Sequence, residues 1–425
     1  VETTAHLAHA VARLSGAVDA PWRHVVVVTD PGTPLAAEGR AHGCRAVVEG
    51  RADVGGRFSV LSAFGLLPAA LCGVDVGAVL DGAARARAAL AAEDGAAAAE
   101  GPAGGAPSSG AWQDASGVAL GAALGAWAAA GRTTLTIVAA PGAAALPGWI
   151  EQLVAESLGK DGRGIFVRTR PAVPSPAELR PDEAVVVVGG ERDAAEALAA
   201  AGAPVVRETV TGPADVGALL FRWEVATALA ATVLGVQPFD QPDVEAAKRF
   251  ARAVMAGRGS GRGVAAMGGD DAVAAEPAAA LDAAAADVAD VERAAAGWLD
   301  GLAPRAQLAV QAYLPPTPAA DAALAALADR LGQRTGAAVA VGYGPRYLHS
   351  TGQLHKGGLP AVRCLQIVDA AWTAAPPPDG MPGDVAVPGA GFSFGQLCAA
   401  QAAGDAAALR AVGRPPFVVS VARLP

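Results

Sequence analysis

The stretch HVVVVTDPGTPL, His24 to Leu35, sets a run of four valines against a cluster of turn-forming residues. A short β-branched run closed by proline and glycine is what a parallel strand buried on both faces requires. A second run of this kind, CRAVVEG, starts at Cys44, and residues 36–43 between them carry helical spacing. The theme recurs further on in TTLTIVAAP (133–141), GIFVRTR (164–170), EAVVVVGG (183–190) and APVVRETV (203–210). Helical patterns over 146–159, 192–202 and 215–234 separate these runs. Strands alternating with helices predict an α/β fold built from two doubly wound units with parallel sheets.

Residues 83–110 and 256–292 are rich in alanine and glycine and read as surface helix plus connection. They divide the chain into a first unit (1–90), a linker (91–110), a second unit (111–255), an alanine-rich connector (256–294) and a C-terminal α/β segment (295–425). That last segment reads as the strand QLAVQAYLP, a helix near 318–335, then the strands AAVAVGYG and RCLQIVDA. PPFVVS is set aside as core. Val1 opens directly into helical spacing, with Leu7, Val11 and Leu14 on one face.

The chain has 425 residues, 52% of them hydrophobic and 17% charged, with a formal charge of −9. The apolar excess is mostly alanine, and no run of 18 uncharged apolar residues occurs, so no membrane span is expected. The acidic balance argues against a nucleic-acid partner, which needs a basic face. A small anionic substrate is still compatible with it, because a local pocket can oppose the net charge. Cys44, Cys72, Cys364 and Cys398 form no CxxC unit, which predicts reduced thiols in a cytoplasmic protein rather than a zinc or disulfide framework.

Four clusters carry chemistry. In DVGGRFSVLSAFG (Asp53–Gly65), paired glycines precede Arg57. That order suits close backbone approach to a ligand, and equally a turn with a surface arginine. In GWIEQLVAESLGKDG (Gly148–Gly162), Gln152 and Glu156 stand four apart and share a helix face among apolar neighbours. This fits a general base, or an ordinary amphipathic helix. GVQPFDQPDVEAAKRF (Gly235–Phe250) places Gln241 between prolines and Lys248 in the helix that Asp243 would cap, around what could also be a plain rigid turn. Finally, VGYGPRYLHSTGQLHKGG (Val341–Gly358) spends two of six histidines, His349 and His355, among five glycines, and reads as a loop. With no Asp, Glu or Cys between His355 and Cys364, a metal site is not expected there. A phosphate cradle before a helix is missing as well, since TDPGTP fits a strand-end turn.

In order and spacing, VVVVTDPGTPL, DVGGRFSVLSAFGLLPAAL, GWIEQLVAESLGK and RWEVATALAATVLGVQPFDQPDVEAAK together resemble the phosphoglucose isomerase family. With GYGPRYLHSTGQLHKGG, the LQI strand and the FSFGQL helix, the likeness is nearest to the isomerase half of the bacterial bifunctional transaldolase/glucose-6-phosphate isomerases. The resemblance implies sugar-isomerase-type units, a glucose 6-phosphate or fructose 6-phosphate substrate, an enediol(ate) intermediate, and neither cofactor nor metal. A homodimer is compatible with it.

Carried over residue by residue, the resemblance makes Glu156 the base that moves a proton between C1 and C2. Arg57 becomes the stabiliser of the enediolate, with Gly56, Gln152 and Gln241 positioning the substrate. Lys248 would assist ring opening, and His349 would open the ring, with His355 as the alternative and otherwise a substrate contact. In the family a Ser-Lys-Ser-Gly-Thr-Thr type loop binds phosphate just before the helix that begins here as VETTAHLAHA. The resemblance therefore implies an N-terminal truncation, with a phosphate loop upstream of Val1. A silent sugar-phosphate-binding regulator and an inactive piece of a bifunctional enzyme are the alternatives it leaves open.

Overall fold

The computed structural model describes residues 2–100, 110–242, 283–285, 288–346, 350–373 and 384–421. Two compact units result. The first consists of Leu14–Leu158 and Thr169–Asp240, the second of Val1–Arg13, Gly159–Arg168 and Gln241–Pro425. This division differs from the consecutive blocks read from sequence, because the opening helix and the segment after Leu158 belong with the C-terminal residues. The elements in chain order are α1 (Glu2–Ser15), β1 (Val26–Thr29), α2 (Pro34–Ala41), β2 (Ala46–Glu49), α3 (Ala63–Leu71) and α4 (Val76–Glu100). After them come β3 (Gly110–Gln113), α5 (Gly117–Ala129), β4 (Thr134–Ala139), α6 (Leu146–Leu158), β5 (Phe166–Arg170), β6 (Glu183–Val188), α7 (Arg192–Ala200), β7 (Pro204–Glu208) and α8 (Pro213–Leu234).

In the first unit, the opening valine run forms β1, parallel to β2 with Val27 opposite Val47. The TDPGTP segment turns the chain and caps α2, where the Thr33 hydroxyl accepts from the Ala36 amide at 3.2 Å. α4 continues through Glu100, so alanine propensity carries the helix into the stretch expected to be a linker. The larger sheet has the order β3-β7-β6-β4-β5, with β3 parallel to β7, β7 to β6 and β6 to β4. β3 to β4 and β4 to β5 step one way across it, whereas β6 to β7 steps back. Right-handed crossovers then put α5 and α6 on one face and α7 on the other. Val185, Val187 and Val205 accordingly pack with Ala195 and Leu198 of α7. α8 is long and apolar enough by composition to cross a bilayer, but here it lies against α4 and α5. The approach to α4 is so close that a Cβ on Gly217 would sit 1.8 Å from the Val79 carbonyl oxygen.

Glu224 lies two turns beyond Gly217 on the same side of α8. Its Oε1 is buried without a hydrogen-bond partner among the described residues. Burial pushes this carboxyl up to about 8, so the folded state holds a proton that the unfolded chain releases near pH 4.5. Its contribution to stability is therefore present below the unfolded value and is lost as pH rises through about 8. Glu224→Gln is expected to unfold at higher temperature than the parent at pH 9, by the equivalent of about 1–3 kcal/mol. At pH 5 the two unfolding curves should converge, as calorimetry at both pH values would show.

The second unit adds β8 (Ala283–Ala285), α9 (Val288–Ala294), β9 (Gln307–Tyr313), α10 (Pro318–Thr335), β10 (Ala338–Tyr343), α11 (Gly352–Gly357), β11 (Val362–Asp369), α12 (Phe394–Ala411) and β12 (Phe417–Val421). They build a parallel sheet of order β10-β9-β11-β12-β8. One face carries Leu308, Val310, Ala312, Leu365 and Ile367, packed with Val291 of α9 and with Leu324, Leu327 and Leu331 of α10. The alternate residues of β9 and β11 include Gln311, Tyr313, Gln366 and Val368, all buried. They face α11 and α12, and Tyr313, Val368 and Val418 pack there with Ala402. α1 adds Ala5 to a cluster with Val387 and Leu397 and sets His6 and His9 against the Phe394 ring.

Three readings change here. The connector 256–294 contributes a strand and a helix, β8 and α9, to this unit. The core run FVV becomes β12, one of the strands beside β11. His355 lies in a helix, α11, where a loop was expected.

Candidate functional site

In the first unit, Arg57 sits in a single 3-10 turn, Gly56–Phe58, entered from Gly55 in extended geometry. Only 3% of the residue is exposed. The planar guanidinium engages on all sides. Its Nε donates to the Ser157 hydroxyl at 2.8 Å. Its Nη2 donates to the Pro238 carbonyl and, at 2.9 Å, to the Asp240 carbonyl. Its Nη1 pairs with Glu156 Oε1 at 3.1 Å. Five donors in a fixed fork make this possible, where an ammonium would choose among the partners. Burial pulls the guanidinium below its ordinary value, opposed by the Glu156 and Asp240 carboxylates.

Glu156 and Ser157 reach this group because α6 turns their part of its last turn inward, with Leu153 to Leu158 all buried. Gln152, one turn earlier, donates from Nε2 to Glu156 Oε2 at 3.3 Å, as the shared helix face required. Both oxygens of the carboxylate are therefore oriented, one by a guanidinium and one by an amide. Gly56 is exposed, and a Cβ there would meet nothing within 4 Å. Space beside Arg57 is open on that side. The Phe58 and Phe239 rings pack nearby at a tilt of 55°, with centroids 5.1 Å apart.

Arg57, Gln152 and Glu156 thus come together from positions about a hundred residues apart in sequence. Ser157 and the carbonyls of Pro238 and Asp240 were missed, since backbone acceptors leave no mark in a sequence. Gln241 is half-buried and follows Asp240 directly, on the side of the division that belongs to the second unit. Lys248 and His349 lie outside the described residues.

In the second unit, His355 is 3% exposed. Its Nδ1 lies 3.0 Å from Gln311 Nε2. Burial, reinforced by the Lys356 and Arg414 charges and opposed by Asp405, pushes the imidazole down to about 3. A ring held neutral in this way can donate a hydrogen bond but is poorly suited to exchanging protons near neutral pH. Among the described residues no three His, Cys, Asp or Glu side chains are arranged to hold a metal ion.

No family model matches the chain. It is 35% identical over 249 residues to a glucose-6-phosphate isomerase of Rubrobacter xylanophilus, covering 48% of this chain and 53% of that one. It is 34% identical over 283 residues to a probable glucose-6-phosphate isomerase of Halobacterium salinarum, covering 56% and 61%. A similar protein from Natronomonas pharaonis, also a probable glucose-6-phosphate isomerase, is 36% identical over 277 residues, covering 55% of this chain and 59% of that one. Among solved structures, a hypothetical protein from Thermus thermophilus aligns with a TM-score of 0.48 at 26% identity, covering 60% of this chain and 69% of that one. The chain spans between half and two thirds of the length of the curated relatives it matches. Over the stretch it shares with them, the chain is similar to glucose-6-phosphate isomerases.

Proposed function

We propose that the full-length protein interconverts glucose 6-phosphate and fructose 6-phosphate by moving a proton between C1 and C2. The observation that carries this reading is the buried contact of the Arg57 guanidinium with the Glu156 carboxylate at 3.1 Å. Isomerisation of an aldose to a ketose needs a base that takes a proton alpha to a carbonyl and returns it to the next carbon. It also needs a fixed positive group where the oxyanion charge of the enediolate develops. The pair supplies both, and Gln152 holds the carboxylate from its other side.

In this reading Glu156 swings the proton between the two carbons while Arg57 stabilises the oxygens. Gly56 leaves room for the sugar, and Gln152 and Gln241 position its hydroxyls. Since the substrate is mostly a closed ring, a second acid/base step must precede proton transfer. We assign it to His349 assisted by Lys248, and His355 serves as a neutral hydrogen-bond donor instead, in keeping with its buried imidazole. The reading requires no cofactor. The proposal extends to the finer likeness with bifunctional transaldolase/isomerases, a cytoplasmic location and a homodimer.

The test is isotope exchange. Full-length protein incubated with fructose 6-phosphate in deuterium oxide is expected to yield glucose 6-phosphate carrying deuterium at C2, read by proton NMR. Conversion without label would mean either that Glu156 returns the proton before it exchanges with solvent or that a hydride moves directly, and Glu156→Gln, which stops only the first, tells the two apart. No conversion at all would overturn the isomerase reading.

A further inference from the structure

Beside the last turn of α7, at the amino ends of β4 and β6, the first unit holds a cleft of about 350 Å³. Leu198 of α7 and Ala203 are buried in its floor, and Pro176 and the half-buried Leu179 form a wall. The charged residues of the lining are two arginines, Arg132 and Arg180, and no carboxylate, hydroxyl or side-chain amide stands among the lining residues. Arg180 is committed elsewhere. Its Nε and Nη2 donate to the two Asp182 oxygens at 3.0 and 3.1 Å, and the Thr134 hydroxyl donates to the same carboxylate at 3.3 Å. Arg132 is different. Half-buried, it donates from Nη1 to the Glu183 carbonyl at 2.8 Å, and among the described residues no carboxylate pairs with it. The carbonyls of Leu198 and Ala199 accept from the Ala203 and Gly202 amides at 3.1 and 2.9 Å, so the end of α7 closes without help from this guanidinium.

A guanidinium oriented by one carbonyl keeps further donors in its planar fork, and a carboxylate matches that fork in shape and charge. Apolar walls around it call for an apolar body on the same molecule. A sugar would find no hydroxyl or amide partner in this lining, which sets the cleft apart from the Arg57–Glu156 pair. The two also lie on opposite faces of the sheet, since α7 covers one face and α6 the other. In a chain of formal charge −9, a pair of arginines with no lining carboxylate reverses the potential locally. We propose that this cleft binds a small organic monocarboxylate whose apolar body has the size of a benzene ring. Arg132 takes the carboxylate, and Leu179, Leu198 and Ala203 take the body. The site does not depend on the isomerase reading.

Benzoate titrated into the full-length protein, followed by ligand-observed proton NMR, is the test. The parent is expected to bind it with a Kd of about 0.1–1 mM, the strength a ligand of this size reaches in a preformed pocket. Benzamide, neutral and of the same shape, should bind about 10–100-fold more weakly, because the charge-assisted hydrogen bonds are lost. Inorganic phosphate, an anion without an apolar body, should not displace benzoate. Arg132→Met keeps an apolar stem and removes the charge, and it should weaken benzoate by the same factor while leaving benzamide as it was. Ala201→Phe fills the cleft from its exposed rim and leaves Arg132 and its hydrogen bond in place. It should weaken both ligands alike, and it decides the matter if Arg132→Met does not fold. Parental affinity for benzoate in either folded variant overturns the proposal. So does benzamide binding as tightly as benzoate, displacement by phosphate, or a parent that shows no benzoate binding at ten times the expected Kd.

Discussion

Glu156→Gln is expected to abolish isomerisation while leaving the first unit folded. Glutamine is nearly isosteric, keeps an oxygen that can accept from the Arg57 guanidinium, and loses only the capacity to take a proton. Removal of a general base typically costs about 10²–10⁴ in rate, and here no second carboxylate is proposed to replace it. The Arg57 fork keeps its other partners at Ser157, Pro238 and Asp240. The buried pair loses one charge, so a fall in thermal stability is expected, of a size that leaves the unit folded at assay temperature. Deuterium incorporation at C2 should vanish together with turnover, because both depend on the same proton transfer. A variant that isomerises within tenfold of the parent would make Glu156 a structural partner of Arg57 and leave the base to be found elsewhere. The experiment therefore separates an active-site pair from an ordinary buried salt bridge, which geometry alone does not distinguish.

Strands were the legible part of this fold. Parallel strands buried on both faces must be apolar throughout, as EAVVVV at 183–188 is; VVVV at 25–28 was equally legible as a strand, but β1 buries only alternate residues, Val27 and Thr29. β8 did not, because AAA in an alanine-rich stretch carries no β-branched signal and is a strand only through its pairing with β12. α11 was hidden for a different reason. Glycine and histidine favour a loop locally, and the helix exists through Gln353, Lys356 and Arg414, whose partners lie far away in sequence. The unit boundary was equally out of reach, since α1 joins the C-terminal residues through Ala5 meeting Val387 and Leu397.

At the site, Gln152 and Glu156 could be read from their four-residue spacing, whereas Arg57 became a partner of theirs only in three dimensions. The buried polar residues Gln311 and Gln366 did leave a trace. Each interrupts an apolar strand, in QLAVQAY and CLQIVD, where a polar side chain must find a partner.

Arg57→Lys is expected to depress turnover by about 10²–10³-fold with little change in substrate affinity, the usual scale for losing one preorganised group at a developing oxyanion. Charge is conserved in this substitution, so any effect must come from geometry. The guanidinium serves Ser157, Pro238, Asp240 and Glu156 at once from a planar fork. An ammonium has three donors on a flexible stem and cannot meet acceptors spread around a plane. At least one carbonyl or the Ser157 hydroxyl is then left buried and unmet, and stability should fall by about 1.5–3 kcal/mol as well. The two effects can be separated by temperature. Turnover measured well below the unfolding transition reports the lost electrostatic alignment, while the transition itself reports the lost clamp between the 3-10 turn and residues 238–240. Steady-state kinetics decides the role. If KM rises steeply while kcat holds, Arg57 is a ligand for an anionic group of the bound substrate, and the oxyanion must be stabilised by other residues. If kcat falls with KM unchanged, the group acts in the transition state, as its 3.1 Å contact with the proposed base requires.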